Sequence, residues 1–188
     1  MKFKAGVFQT AVLAVTAEPI VADAHPFHWA SESVGFYDGL LHPLSASDHI
    51  ITMLIVGFWI SQAGRLAMAA IALVFVALLL LGGGLTLIGI EIAHAESIMN
   101  LSALILGLML ASGYKVSSLI AAIIAGNLAL FHGYVHAYDI WLDRNALAYA
   151  TGFALGTIAL ISIGILLRSI VKRVTLNYAA FFFDESER

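Results

Sequence analysis

Two short motifs in the chain contain side chains that bind metal ions. The first has His42 followed by Asp48 and His49, and the second has His132 and His136. Imidazole nitrogens and carboxylate oxygens are ligands for divalent transition metals such as nickel, copper(II), cobalt and zinc. The chain has no cysteine, which excludes thiolate ligands, cysteine nucleophiles and disulfides. The residues therefore predict a metal site built from nitrogen and oxygen ligands.

The spacing of the second motif favours a chelating pair of histidines. Residues four or seven positions apart share one face of a helix, so His132, His136 and Asp139 project together if the helix continues that far. A histidine within a membrane span is costly unless it faces a partner or a hydrated cavity, which favours a functional role. Interfacial histidines bonded to lipid headgroups or carbonyls are the alternative explanation.

The first motif leads into an apolar run and has two explanations. Ser45 followed by Asp48 is typical of a helix N-cap, in which the serine oxygen accepts from a backbone N–H and Asp48 interacts with the helix dipole. Capping does not require His42 or His49. For a helix that starts near Ser45, we expect His49 one turn inside it. We expect His42 in the preceding loop, close enough to fold back.

Two further polar residues lie near or within the predicted spans. Glu91 is in the connection between the second and third predicted spans, three residues before His94. It could add a carboxylate to the metal site predicted from the two histidine motifs. Asn127 lies within the fourth predicted span. It is explained equally well as a contact between helices or as an inner step of an ion pathway.

The elements that position these residues are predicted to be membrane helices. Hydrophobic residues make up 61% of the chain and charged residues 11%, and the mean hydropathy is +0.96, far too apolar for an ordinary soluble domain. Several apolar runs approach or exceed the roughly 20 residues that cross the membrane as a helix. We predict an all-α, polytopic membrane helix bundle with about five transmembrane helices, at residues 45–62, 66–87, 92–112, 116–136 and 147–167.

The two ends of the chain are predicted to lie outside this bundle. Residues 1–24 have lysines, an apolar stretch and a small-residue cleavage pattern, which is typical of a secretory signal peptide, with an uncleaved anchor as the alternative. Residues 25–176 form the transmembrane helical domain, and residues 177–188 form a cytoplasmic tail that is interfacial or disordered. Lysine and arginine concentrate on one side, so we expect the mature N-terminus and all seven histidines outside.

The two histidine motifs resemble the signatures of the HupE/UreJ family of membrane proteins. The segment His42-Pro43-Leu44 with Asp48-His49, followed by Met53, Val56-Gly57 and Trp59, is similar to the first signature. The segment Phe131-His132-Gly133-Tyr134-Val135-His136 is similar to the second. This chain departs from the family where it has Ser47 in place of a glycine, and where Ala137-Tyr138-Asp139 replaces a Gly-x-Glu ending. The resemblance implies a nickel permease or an accessory protein linked to hydrogenase and urease.

The predicted function is uptake of a divalent transition metal, nickel first and cobalt, zinc or copper next, from outside across the bacterial inner membrane. We expect a permease in the lipid bilayer rather than an enzyme, with a second copy of the chain as a candidate partner in a homo-oligomer. The chain has no Gly-x-x-x-x-Gly-Lys phosphate loop and no basic cluster for nucleic acid. The predicted ligands and charge-supplying residues are His42, Asp48, His49, His132, His136, Glu91 and Asp139.

Two other functions use the same residues. The first is a zinc-dependent intramembrane hydrolase, in which three histidines hold Zn²⁺, a carboxylate acts as base and Ser45 positions the substrate or an oxyanion. The second is a metal-binding accessory protein that delivers nickel during hydrogenase or urease maturation without transporting it.

Overall fold

The structure, a computed structural model, describes residues 35–45, 47–113, 117–137 and 145–184, with only the backbone for Asp48 and residues 178–184. The predicted signal peptide, residues 1–24, lies outside this range. The described residues form helices and no strand, which confirms the all-α prediction. The helices are α1 (Phe36–Ser45), α2 (Ser47–Ile60), α3 (Arg65–Leu87), α4 (Ala95–Ser112), α5 (Ser118–Ala137) and α6 (Ala146–Asp184).

Helices α3, α4, α5 and α6 are each long and apolar enough to cross a membrane. A fifth span is obtained if α1 and the helix after it are counted as one broken element. The prediction of a helical membrane bundle with about five spans is therefore confirmed. Helix α4 begins later than expected, at Ala95, because residues 88–94 form a non-helical connection that ends at His94 with a φ of 60°.

The first predicted span is broken between α1 and α2, whose axes differ in direction by 81°. The expectation that His42 lies in a loop is wrong, because His42 is in the last turn of α1. Pro43 lies inside the last turn of α1, where it has no N–H to donate to the carbonyl four residues earlier. The Ser45 hydroxyl donates a 2.7 Å hydrogen bond to the carbonyl of His42. Ser45 therefore ends α1, and the predicted N-cap role is wrong.

Glycines allow the helices to approach one another at backbone distance. A Cβ atom on Gly82 of α3 or on Gly133 of α5 would overlap the backbone of the facing helix. The same is true of Gly57 on α2 and Gly164 on α6. In lipid there is no hydrophobic driving force for apolar helices to associate. Van der Waals contacts between closely packed small residues therefore contribute to their attraction.

The bundle has a buried interior and an apolar exterior. Met53, Phe75 and Leu128 are completely buried between the helices. Large apolar side chains such as Leu73 and Ile123 are exposed, as expected where helices face lipid.

Helix α6 is longer than a membrane requires. Its 39 residues extend about 58 Å at the usual rise per residue, compared with a hydrocarbon core of about 30 Å. The predicted tail from residue 177 begins as a continuation of this helix, which ends at Asp184.

Candidate metal site

Four histidines from three helices meet in the core. His42 is in α1, His49 is in α2, and His132 and His136 are in α5, each with an exposed fraction between 2 and 8%. The ring centroid of His49 is 4.1 Å from that of His136 and 4.6 Å from that of His132. The centroid of His42 is 5.2 Å from that of His49 and 5.1 Å from that of His136. The two sequence motifs therefore form a single cluster.

Three of these side chains can bind one metal ion together. His42, His49 and His136 each offer a ring nitrogen, and the three atoms lie within 4.8 Å of one another. The Nε2 atoms of His49 and His136 are 2.5 Å apart. A metal–nitrogen bond of about 2.0–2.1 Å places two tetrahedral ligand nitrogens about 3.4 Å apart. A metal bound by both nitrogens therefore requires them to separate by about 0.9 Å.

His132 lies beside the three-histidine group and one helical turn before His136. Their ring centroids are 4.7 Å apart. Among the described residues, neither ring nitrogen of His132 has a hydrogen-bond partner, although the side chain is buried. A buried polar group without a partner is costly, so this ring is suited to bind a polar guest.

Close contact between α1 and α6 places His42 in the cluster. A Cβ on Gly39 would overlap the backbone of Tyr149, and one on Gly152 would overlap the backbone of α1. The ring of His42 consequently lies 5.9 Å from that of Tyr149 and 5.5 Å from that of Phe153. Phe153 is within 6.4 Å of all four histidine rings, measured between centroids, and forms an apolar wall of the site.

Contacts with α3 fix the position of the two histidines on α5. Gly133 packs directly against the backbone of Leu79 on α3, at a distance that leaves no room for a Cβ atom. The hydroxyl of Tyr134 donates to the carbonyl of Ile90 at 3.0 Å and accepts from the N–H of Ile92 at 2.8 Å. The α3–α4 connection is therefore fastened to α5 beside the histidine site.

Of the three predicted carboxylates, Glu91 is the one whose side chain the structure describes. Glu91 is exposed in the α3–α4 connection, and the three-ligand group found among the described residues contains no carboxylate. Asp48 occupies the first turn of α2, but its side chain is not described, and Asp139 lies outside the described residues. The roles of these three residues stay predictions. Asn127 is exposed on α5 and does not lie in the core.

The contribution of α6 was not predicted from the sequence. Tyr149 and Phe153 are four residues apart, so they share a helix face, and both are buried against the histidines. The small residues Gly152 and Gly156 on this helix are the sequence signal of the tight contact with α1.

The arrangement is suited to hold a divalent cation through neutral imidazoles. Imidazole is a good ligand for nickel, copper(II), cobalt and zinc, so the donor set selects this group of metals. Ser45 is exposed at the break, and its hydroxyl donates to a backbone carbonyl rather than to a histidine ring.

The fold and the cluster together define a multi-pass membrane protein with a buried histidine site. The chain matches the family model described as HupE / UreJ protein over residues 12–182, which include both histidine motifs. It is 38% identical over 161 residues to Protein HupE of Rhizobium leguminosarum bv. viciae, covering 86% of this chain and 83% of that protein. The chain therefore belongs to the HupE/UreJ family, and the predicted resemblance is confirmed. No solved structure matches it.

Proposed function

We propose that this protein is a permease that takes up a divalent transition metal, nickel first, across the bacterial inner membrane. The observation that carries the proposal is the convergence of ring nitrogens from His42, His49 and His136 within 4.8 Å inside a membrane helix bundle. Imidazole chemistry supports nickel, cobalt, copper(II) and zinc as a group. The association of the HupE/UreJ family with hydrogenase and urease, both nickel enzymes, supports nickel within that group.

In the proposed mechanism, the histidines replace part of the water shell of the entering ion. The positive-inside rule places the start of α2 and the end of α5 at the outer face, so the cluster meets the ion first. Asp48, Asp139 and Glu91 are proposed to supply negative charge there. Conduction requires that binding be favourable enough for entry and weak enough for release.

Transport is favoured over hydrolysis by the position of Ser45. In the hydrolase alternative this serine helps to position the substrate. In the structure its hydroxyl donates a hydrogen bond to the carbonyl of His42, and the side chain is exposed at the break between α1 and α2. Delivery of nickel without transport uses the same ligands, so a flux measurement is needed to separate it from a permease.

Metal uptake by proteoliposomes tests the proposal. Purified protein is reconstituted, and the initial rate of Ni²⁺ entry is compared with the rates for Co²⁺ and Zn²⁺. We expect His49→Ala and His136→Ala each to lower Ni²⁺ uptake at least tenfold. His94→Asn is the matched control, because His94 is exposed outside the three-histidine group and asparagine tolerates its positive φ.

The result that contradicts the proposal is a wild-type protein that binds metal but moves no divalent ion in either direction. In that case, cleavage of an amide or ester by zinc-loaded protein in lipid would indicate the hydrolase. Transfer of bound nickel to an acceptor protein without flux would indicate the accessory function.

A further inference from the structure

One hydroxyl group of α6 differs from the others on the same helix. Thr151, Ser162, Ser169 and Thr175 are exposed, and each donates a hydrogen bond of 2.7–3.1 Å to the carbonyl four residues earlier. Thr157 is completely buried, and its hydroxyl has no hydrogen-bond partner among the described residues. The helix thus satisfies its exposed hydroxyls and leaves the one in the core unsatisfied.

The packing of α2 against α6 gives the depth of Thr157 in the bundle. The ring of Phe153 is 6.4 Å from that of His49, and Ile161 packs against Gly57 of α2. Thr157 is midway between Phe153 and Ile161 on α6. Successive positions four residues apart share one helix face, so Thr157 lies one turn further along the core from the aromatic wall of the histidine site.

His132 occupies the level between the outer histidines and Thr157. Its ring stacks on that of Phe153 with an interplanar angle of 26° and a centroid distance of 6.3 Å. Thr157 lies one turn of α6 further into the bundle than Phe153, the residue whose ring His132 faces. Both His132 and Thr157 have buried polar atoms without hydrogen-bond partners among the described residues. Two such groups at adjacent levels suit a polar guest, since isolated buried donors and acceptors are otherwise costly.

We propose that Thr157 and His132 form an inner ion position below the three-histidine group. The divalent cation leaving His42, His49 and His136 is held there by an imidazole nitrogen of His132, the hydroxyl oxygen of Thr157 and its remaining water ligands. This inference rests on the proposed function, in which the ion enters at the outer histidines. A hydroxyl and water are weaker ligands for these metals than imidazole, so the inner position binds less tightly and favours onward movement.

Replacing Thr157 by valine tests this inner position, because valine keeps the shape of the side chain and removes the hydroxyl. Two measurements are made: Ni²⁺ uptake by proteoliposomes, and equilibrium Ni²⁺ binding to purified protein. We expect Thr157→Val to lower the uptake rate at least tenfold and to lose a second, weaker equivalent of bound Ni²⁺. The first equivalent, held by the outer histidines, should keep its affinity within twofold.

Two further variants separate a ligand role from a packing role. Thr157→Ser restores the hydroxyl and should recover uptake to within threefold of the wild type. Thr151→Val makes the same chemical change at an exposed position of the same helix and should leave both measurements within twofold. Thermal unfolding of Thr157→Val should occur at or above the wild-type temperature, since the substitution removes an unpartnered buried hydroxyl.

The outcomes distinguish this inference from the proposed function. Uptake and both binding equivalents unchanged in Thr157→Val would overturn the inner position and leave the permease intact. A loss of outer-site affinity together with a lower unfolding temperature would show that Thr157 acts through packing, and would also overturn it. If the wild type moves no ion but binds a second, weaker equivalent of Ni²⁺ that Thr157→Val does not bind, the inner position stands and the permease proposal fails.

Discussion

Replacing Gly133 by alanine tests whether the contact between α3 and α5 sets the geometry of the histidine site. A Cβ on Gly133 would lie 2.7 Å from the carbonyl carbon of Leu79 and 3.0 Å from its Cα, and would overlap its oxygen. Non-bonded carbon atoms prefer separations of about 3.5–4.0 Å. The atoms of Leu79 belong to the backbone, so no rotamer change relieves the overlap. The carbon–carbon distances require α5 to move away from α3 by about 1 Å.

This displacement acts directly on the metal ligands. His132 and His136 flank Gly133 on α5 and move with it, whereas His49 is held on α2 by the close contact of Gly57 with α6. A shift of about 1 Å is half the length of a metal–nitrogen bond of about 2 Å. Changes to groups that support metal ligands commonly cost about 10–100-fold in affinity. We therefore expect Ni²⁺ affinity to fall about 10–100-fold, with a loss of about 1–3 kcal/mol in the free energy of unfolding from overpacking.

Calorimetric titration of Ni²⁺ into the detergent-solubilised protein, together with chemical unfolding, measures both effects. Gly84→Ala is the matched control, since a Cβ on Gly84 of α3 meets no atom within 4 Å. Its expected effect is unchanged affinity and a gain of up to about 1 kcal/mol from the better helix propensity of alanine. If Gly133→Ala binds Ni²⁺ as tightly as Gly84→Ala, the helix contact does not set the geometry of the site and the reasoning is refuted.

Three other predictions concern the site and its setting. His49→Ala and His136→Ala, combined in a double-mutant cycle of Ni²⁺ affinity, should lose less together than the sum of their separate losses, because they share one ion; strict additivity would indicate two sites. Since the chain has no cysteine, single cysteines at the exposed positions Gln62 and Glu91 should label from the cytoplasmic and outer sides respectively, and labelling from one side would contradict the proposed orientation. Tyr134→Phe should release the α3–α4 connection and lower the free energy of unfolding by about 1–2 kcal/mol, and unchanged hydrogen exchange at this connection would count against that role.

The membrane spans could be predicted because hydropathy is a local property of each segment. The runs that became α3 to α6 were long and apolar enough to be located from composition alone. The sequence did not predict the break before α2, because the pattern of Ser45 and Asp48 is also that of a helix N-cap. Which carbonyl or N–H the Ser45 hydroxyl would meet depends on the chain direction after the proline, and that direction is set by packing against α6.

The histidine cluster could be predicted in composition but not in arrangement. The spacing of His132 and His136 indicated a shared face, and the positive-inside rule placed His42 and His49 at the same end of the bundle. The distances among the four rings depend on the glycine contacts between helices. The spacing of glycines in the sequence does not show which helix each of them contacts. Phe153 was missed for a related reason. An aromatic residue in an apolar span is most often ordinary core, and only the fold shows that it contacts all four histidine rings.

The break between α1 and α2 also gives the site an electrostatic field of its own. The last-turn carbonyls of a helix lack helical partners and carry about half a negative charge. His42 is in that last turn of α1, so this partial charge lies at the edge of the histidine cluster. The opposite, positive end of α2 begins nearby at Ser47, and Asp48 in its first turn has the charge that offsets it. A continuous helix through this region would have neither end, and no helix terminus would lie beside the histidine cluster.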